Sequence, residues 1–334
     1  MWRSKLSGVL AALVLAAPLT LFADTNHQTA APGAVNYVEG SVALDGNALS
    51  TKSVGSSQIE AGQSITTEQG KTEFLLTPGV YVRLADNSKA TLVNPSLTKT
   101  EVSVDRGEAM VEVDQIYKQN NIQVVENGVS TELMKPGLYD FNSIHNTVQV
   151  FSGEAQVQDN DQRMKLKSGH ELDLDNNGKL KATKFDKSAA ENSDLYRWSS
   201  LRSDYLAEAN IDAAGVYYAG GFYGPGWFGG GWYWDPWLTG YTFLPAYGGF
   251  YSPFGWGFYS PRFVYYSPLW YRGFYGHSVA GVRPPVRDGH VGPVGHAFVG
   301  GRGEGGGFHG GGFHGGGFHS GGFSTGAAGF GGHR

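Results

Sequence analysis

The sequence predicts a mainly β protein: a module of repeated short strands, β-solenoid or sandwich-like, then one α-helix, then an irregular and disordered Gly-rich C-terminal region. Three observations support this fold class. Residues 34–185 alternate apolar and polar side chains with a period of two, and turn residues interrupt them every 8–12 positions. Residues 194–210 carry apolar side chains at helical spacing. Of 51 glycines, 37 follow residue 214, which marks a boundary there.

The N-terminal segment has the pattern of an export signal. Arg3 and Lys5 precede the mostly apolar residues 6–17, and Ala23 is a suitable cleavage point. The alternative is an uncleaved membrane anchor, although the segment is at the short limit for a span. We expect residues 1–23 to be removed, which leaves an exported chain in the periplasm or at the outer envelope without a further transmembrane span.

One motif occurs three times in the β module. Each copy has an apolar, alternating run on both sides of a glycine, and the copies are Val35–Leu44 around Gly40, Val102–Val111 around Gly107, and Val148–Val157 around Gly153. Glycine adopts positive φ without steric cost, so each copy predicts two short strands that reverse at the glycine. Recurrence of such units predicts stacked β units that share one core.

Four segments in this order carry a family resemblance: "VNYVEGSVAL", "IEAGQSITTEQGKTEFLL", "VYVRLADNSKATL" and "VSVDRGEAMVEV". Together they resemble the FecR domain, an extracytoplasmic β module, over roughly residues 34–174. The resemblance implies a signal relay that senses an occupied outer-membrane transporter and controls a sigma factor through a cytoplasmic N-terminal part. Only five residues precede the apolar segment here. We therefore expect only the periplasmic module, which has no catalytic residues in the family, to carry over.

The helix predicted after the β module spans 194–210, and Ser193 or Asp194 can cap its first turn. Its apolar side chains at helical spacing are Leu195, Trp198, Leu201, Tyr205 and Leu206. This face is expected to pack on the β module. The alternative is a linker helix that packs on the aromatic segment that follows.

Residues 216–276 contain 26 aromatic side chains and only three charges, with prolines too frequent for a long helix. Their composition is unlike that of a solubilising disordered tail. We expect tight turns and short extended pieces, with a candidate aromatic surface formed by Trp227, Trp232, Trp234, Trp237, Trp256 and Trp270. Three uses stay open: docking of the rings within the chain, adhesion to an envelope component, and a sugar-binding site. Residues 24–214 are expected to fold without this segment, leaving part of its rings accessible.

Residues 305–319 are three copies of Gly-Gly-Gly-Phe-His, which place His309, His314 and His319 five residues apart. One interpretation is a flexible low-complexity tail with incidental histidines. The other is loose binding of a divalent transition metal such as Zn²⁺, Cu²⁺ or Ni²⁺ by neutral imidazoles. A glycine chain fixes no geometry, so a defined tetrahedral site is not expected. No other cofactor is expected.

Charge and motifs exclude several function classes. Residues 24–214 carry a net charge of −10 and residues 215–334 a net charge of +3, so neither part has the basic field of a nucleic-acid binder. The chain contains no cysteine, which excludes disulfides and Cys nucleophiles. It also has no Gly-x-Ser-x-Gly and no His-Glu-x-x-His motif. We therefore do not expect an enzyme.

These patterns divide the chain into six parts: a signal peptide 1–23, a linker 24–33, a FecR-like β domain 34–185, an amphipathic helix 186–214, an aromatic Gly/Pro-rich region 215–276 and a His/Gly-rich tail 277–334. The leading hypothesis is a non-enzymatic exported protein that binds or scaffolds at the bacterial cell envelope, with an envelope component or a protein as partner. The alternative is a periplasmic sensor module that relays a signal through a partner protein. The sequence does not specify an oligomeric state.

Overall fold

The computed structural model describes residues 30–175, 179–219 and 230–266. The predicted signal peptide 1–23, most of the linker and the tail 277–334 lie outside the described residues. All described residues belong to one compact unit, Met1–Ser278.

The secondary structure is dominated by strands. The elements are β1 Val35–Leu44, β2 Asn47–Leu49, β3 Ser64–Leu75, β4 Val80–Leu84, β5 Lys89–Ser96, β6 Lys99–Arg106, β7 Glu108–Val113, β8 Ile122–Glu126, β9 Val129–Leu133, β10 Gly137–Asn142, β11 Thr147–Ser152, β12 Glu154–Asp159, β13 Gln162–Lys167, β14 His170–Asp173, β15 Ala182–Lys184, α1 Lys187–Ala190, α2 Asp194–Ala219, β16 Gly231–Asp235, β17 Gly240–Leu244, β18 Gly249–Tyr251, β19 Gly257–Tyr259 and α3 Pro261–Tyr266.

Strands β1–β15 form one sheet, in the order β13-β12-β9-β8-β6-β5-β3-β4-β7-β10-β11-β14-β15, with β1 on β3 and β2 on β1. Neighbours are antiparallel except β6 and β8, which run parallel. Strand β13 comes close to β11 and β14, so the sheet nearly closes into a barrel-like form. The predicted mainly β class is confirmed.

The interior of this sheet holds the main core, and alternation along each strand builds it. In β4, Val80, Val82 and Leu84 point inward and are fully buried. The intervening Tyr81 and Arg83 point to the outer face and are also fully buried. The outer face of the central strands is therefore covered by a second layer, which the strand pattern alone does not reveal.

The predicted chain reversals at three glycines are wrong. Strand β1 runs straight through Gly40 with a bulge and pairs with β3 along its length. The two strands joined by Gly107 pair with different neighbours, β6 with β5 and β8, and β7 with β4 and β10. Strands β11 and β12, joined by Gly153, likewise do not pair with each other. A sharp bend at positive φ sends the following strand to another part of the sheet, as at barrel corners.

A second layer covers the outer face of β3, β4 and β7. It consists of α2 with the two hairpins β16–β17 and β18–β19, and we call it the helix–hairpin layer. Helix α2 begins where predicted, and the Ser193 hydroxyl accepts a hydrogen bond from Tyr196 N at 3.2 Å. It continues to Ala219, beyond the predicted end. Within the described part of the chain, no helix combines the length and apolarity needed to cross a membrane.

Candidate functional site: the charged interface beneath the helix–hairpin layer

Charged side chains occupy the outer face of the three central strands. Glu73 on β3 lies opposite Arg83 on β4, and Tyr81 on β4 lies opposite Glu112 on β7. This polar-out pattern is typical of a sheet that faces water. Here all four side chains are fully buried beneath the helix–hairpin layer. A buried charge without a partner is strongly destabilising, so each of these charged groups needs an ion pair or a hydrogen bond.

Ion pairs supply those partners. Arg83 bridges two carboxylates, with Nε 2.7 Å from Glu73 Oε2 and Nη1 2.5 Å from Glu112 Oε2. Arg202 of α2 reaches down so that its Nη2 lies 3.0 Å from Glu73 Oε1. Burial alone raises the pKa of Glu73, but the guanidinium groups of Arg202 and Arg83 outweigh burial and lower it. Burial likewise opposes the charge of Arg83, yet Glu112 and Glu73 raise its pKa.

A carboxyl pair extends this interface. Ser203 of α2 donates a hydrogen bond from Oγ to Glu112 Oε1 at 2.6 Å. Asp114, only 6% exposed, lies next to Glu112. Burial and then the charge of Glu112 raise the pKa of Asp114 well above its ordinary value. Burial, followed by the charge of Asp114, raises the pKa of the Tyr81 hydroxyl.

A second carboxyl pair lies further along the same face, near the start of α2. Burial raises the pKa of Glu108, and its hydrogen bond with Asp140 and the charge of His145 only partly offset this. Burial, then the charges of Glu108 and Glu126, raise the pKa of Asp140 well above its ordinary value. Glu126 is 1% exposed, and burial raises its pKa to about 8. Within the described chain, neither of its carboxylate oxygens has a hydrogen-bond partner.

Two asparagines attach the hairpins in the way that a neighbouring strand would. Asn36 of β1 donates from Nδ2 to Tyr241 O at 2.9 Å and accepts from Tyr241 N at 2.6 Å. Asn210 of α2 donates to Phe243 O at 2.8 Å and accepts from Tyr259 N at 2.8 Å. Each amide group satisfies backbone groups that the short hairpins leave unpaired. The hairpins are thus fixed to both the sheet and the helix.

Aromatic packing completes this attachment. Phe243 and Phe258 are fully buried in a cluster with Leu75, Tyr81 and Leu206. Trp232, Trp234 and Trp256 from the predicted aromatic surface are half-buried and pack against this cluster. The Trp232 ring meets the Tyr81 ring edge-on, with centroids 5.0 Å apart. The buried rings are part of the core, which corresponds to the docking alternative. Whether residues 24–214 fold without them stays a prediction.

A few aromatic side chains of this segment stay exposed. Trp237, in the turn between β16 and β17, is 63% exposed. Tyr247, between β17 and β18, is 78% exposed, and Tyr251 at the end of β18 is 53% exposed. Trp237 and Tyr247 lie at opposite ends of the first hairpin. The predicted surface residues Trp227 and Trp270 lie outside the described residues.

The predicted buried face of the helix was partly wrong. Leu195 and Leu206 are buried, but Leu201 is 50% and Tyr205 47% exposed. The buried face instead includes four polar side chains, Ser199, Arg202, Ser203 and Asn210. Sequence reasoning missed Glu73, Arg83, Glu112 and these helix residues because charged and polar side chains are usually solvated. The sequence does hold one signal for the helix residues: Ser199, Arg202, Ser203 and Asn210 recur at the i, i+3, i+4 spacing of a buried helix face, together with Leu195 and Leu206.

The predicted metal ligands His309, His314 and His319 lie outside the described residues. Within residues 30–175, 179–219 and 230–266, no group of three or more His, Asp or Glu side chains could hold a metal ion.

No family model matches the chain, and no curated protein matches it. Two solved structures, each of a provisionally assigned anti-sigma factor from Parabacteroides distasonis, are similar at 16% and 15% identity with a TM-score of 0.33. Each match covers 38% of this chain and 62% of the other, so the chain spans less than two thirds of these proteins. The FecR resemblance stays a prediction.

Proposed function

We propose that this is an exported, non-enzymatic protein that binds or scaffolds at the bacterial cell envelope. The observation that supports this most is the exposure of Trp237, Tyr247 and Tyr251, at 53–78%, on hairpins that are otherwise packed. Tyrosine and tryptophan suit contact surfaces because each has an apolar body and a hydrogen-bonding group. The partner is an envelope component or another protein.

The attachment of the hairpins supports a contact role as well. The Asn36 and Asn210 hydrogen bonds and the buried rings of Phe243 and Phe258 hold the hairpins on the barrel-like sheet. The exposed rings are therefore presented from an ordered scaffold, which reduces the entropy lost on binding. Export rests on the sequence of residues 1–23, and N-terminal sequencing of the exported form is expected to begin near Asp24.

Adsorption to isolated envelope fragments tests the contact role. The triple variant Trp237→Ser, Tyr247→Ser, Tyr251→Ser is expected to lower the bound fraction several-fold. A matched control replaces two exposed apolar side chains of the sheet module, Leu97→Ser and Ile144→Ser, which are 50% and 66% exposed. Loss of binding in the triple variant alone supports the proposal. Unchanged binding, or an equal loss in the control, contradicts it.

The alternative function, a sensor module that relays through a partner, is favoured by one observation. The helix–hairpin layer rests on buried charges of the sheet, and a layer held partly by polar contacts can be displaced more readily than a wholly apolar one. A partner protein that binds only the displaced form would make the layer a relay element. Copurification of a partner that the triple aromatic variant still binds would favour this alternative.

A further inference from the structure

The face of the sheet beneath the helix–hairpin layer holds more acids than bases. Its carboxyl groups belong to Glu73, Glu108, Glu112, Asp114 and Asp140. The guanidinium groups that pair with them in the described chain are those of Arg83 and Arg202. With all five acids ionised, five negative charges would face two positive ones, which leaves a net charge of −3 under the layer. A buried charge without a partner costs several kcal/mol.

The acids are arranged so that protons correct this imbalance. Asp114, directly after β7, lies two positions beyond Glu112 and so on the same face of the sheet. Asp140 of β10 pairs with Met110, which places it diagonally across from Glu108 on that face. Two neighbouring buried carboxyl groups repel each other when both are ionised, and one proton on each pair would relieve that repulsion. Two retained protons reduce the net charge of the face from −3 to −1.

Surrounding groups do not remove the need for these protons. The other titratable or hydrogen-bonding groups that face the two pairs, from every element packed on them, are Tyr81 of β4, Arg202 and Ser203 of α2, Ser252 after β18, Asp194 at the start of α2 and His145 before β11. Glu126 of β8 lies on the same side of its strand as the core residues Ile122 and Val124 and acts on Asp140 through its charge. Lys71 at the edge of this face is already paired with Asp86 and Asp194. Apart from Arg202 and His145, these groups are neutral or acidic.

We propose that docking of the helix–hairpin layer is linked to protons held by the pairs Glu112–Asp114 and Glu108–Asp140, so that rising pH releases the layer from the sheet. When the layer lifts, water reaches the four carboxyl groups and the two shared protons leave. The high pKa values of Asp114 and Asp140 in the docked state agree with this direction. Release would uncover the acidic face of β3, β4 and β7 to solvent while the apolar interior of the sheet stays closed.

Hydrogen exchange of the full chain between pH 5 and pH 8, with rates corrected for intrinsic exchange, tests the proposal. The opening equilibrium reported by α2 amides is expected to rise about tenfold per pH unit for each proton released. Amides of β5 and β6, which lie away from the layer, should change by a clearly smaller factor than those of α2. The double variant Asp114→Asn, Asp140→Asn mimics the protonated acids and should flatten the profile of α2. The control Asp161→Asn changes an exposed acid and should behave as wild type.

Three results would overturn the proposal. The first is an α2 opening equilibrium that does not change with pH in the wild-type chain, which needs no variant to fold. The second is an equal rise in β5, β6 and α2, since that reports unfolding of the whole unit. The third is a folded double variant, shown by unchanged far-UV circular dichroism, that keeps the wild-type pH profile.

Discussion

Replacing Arg202 with methionine tests the buried ion pairs most directly. Arg202 brings a positive charge from the helix–hairpin layer to the sheet face, and its side chain is 5% exposed while that of Glu73 is 0% exposed. Methionine keeps the apolar stem and removes the charge. The carboxylate of Glu73 then loses its contact at 3.0 Å and stays buried.

The magnitude follows from what Glu73 retains. Removing one partner of a buried pair costs about 3–5 kcal/mol. Glu73 keeps Arg83 at 2.7 Å and the Asn36 amide at 2.8 Å, which places the cost at about 3 kcal/mol, the lower end. The guanidinium group also lies 4.1 Å from the centre of the Tyr37 ring, and losing this cation–π contact adds about 1 kcal/mol. For a unit of this size a loss of about 3–4 kcal/mol lowers Tm by roughly 10 °C.

Urea unfolding and thermal melts of Arg202→Met against wild type measure this loss. Arg197→Met is the matched control, because Arg197 is exposed on the same helix and is expected to change stability by less than about 0.5 kcal/mol. The pKa of Glu73 is lowered in the fold, so its stabilisation is present above the ordinary pKa of 4.5 and is lost as the pH falls. The difference between variant and wild type should therefore shrink below pH 4.5. Equal stability of Arg202→Met and Arg197→Met at pH 7 would refute the reasoning.

Three further predictions concern other parts of the chain. Gly107→Ala should cost at least about 2 kcal/mol more than Gly128→Ala in thermal melts. Both glycines have a φ of 81°, but a Cβ on Gly107 would lie 2.6 Å from Ser88 Cα, whereas a Cβ on Gly128 would meet nothing within 4 Å. Equal losses of stability in the two variants would show that the contact with Ser88 is unimportant. Burial raises the pKa of Glu126 from 4.5 to about 8, so its contribution is lost as the pH rises through that range. Glu126→Gln should therefore match wild type below pH 4.5 and gain up to about 5 kcal/mol above pH 8, and a gain independent of pH would contradict the cause. Deleting residues 305–334 should weaken retention on an immobilised Ni²⁺ column, which should itself disappear below about pH 6.5, and equal retention of the truncated chain would exclude the tail.

Much of the sheet could be predicted from the sequence because local alternation determines which side chains face the core. The apolar residues Val80, Val82 and Leu84 are sufficient to predict a strand with one buried face. The pairing of strands could not be predicted, since a bend at Gly107 or Gly153 has the same local signal as a hairpin turn. The partner with which each strand pairs in the sheet depends on contacts between residues that are distant in the sequence.

The candidate site was less predictable than the sheet. The central strands alternate apolar residues with Glu73, Arg83 and Glu112, which is the pattern of a solvated face. These three side chains are nevertheless buried, because α2, which carries Arg202 and lies far along the chain, packs over them. The composition of the aromatic segment indicates that many rings must be buried. It does not indicate that they pack on Leu75 and Tyr81 of the sheet. Asn36 and Asn210 carry no signal of their anchoring role, since an asparagine near a strand or within a helix is ordinarily a surface residue.

The hydrogen bonds between Asn36 and Tyr241 join positions that are 205 residues apart. A chain that emerges from its amino end during synthesis must therefore finish the whole sheet before the hairpins can attach. Contacts of such sequence separation form late because the loop they close is long. During that interval the outer face of β3, β4 and β7 is open, and its carboxylates keep it hydrated and repel other unfinished copies. We therefore expect charges that are costly to bury in the finished protein to protect the growing one from aggregation.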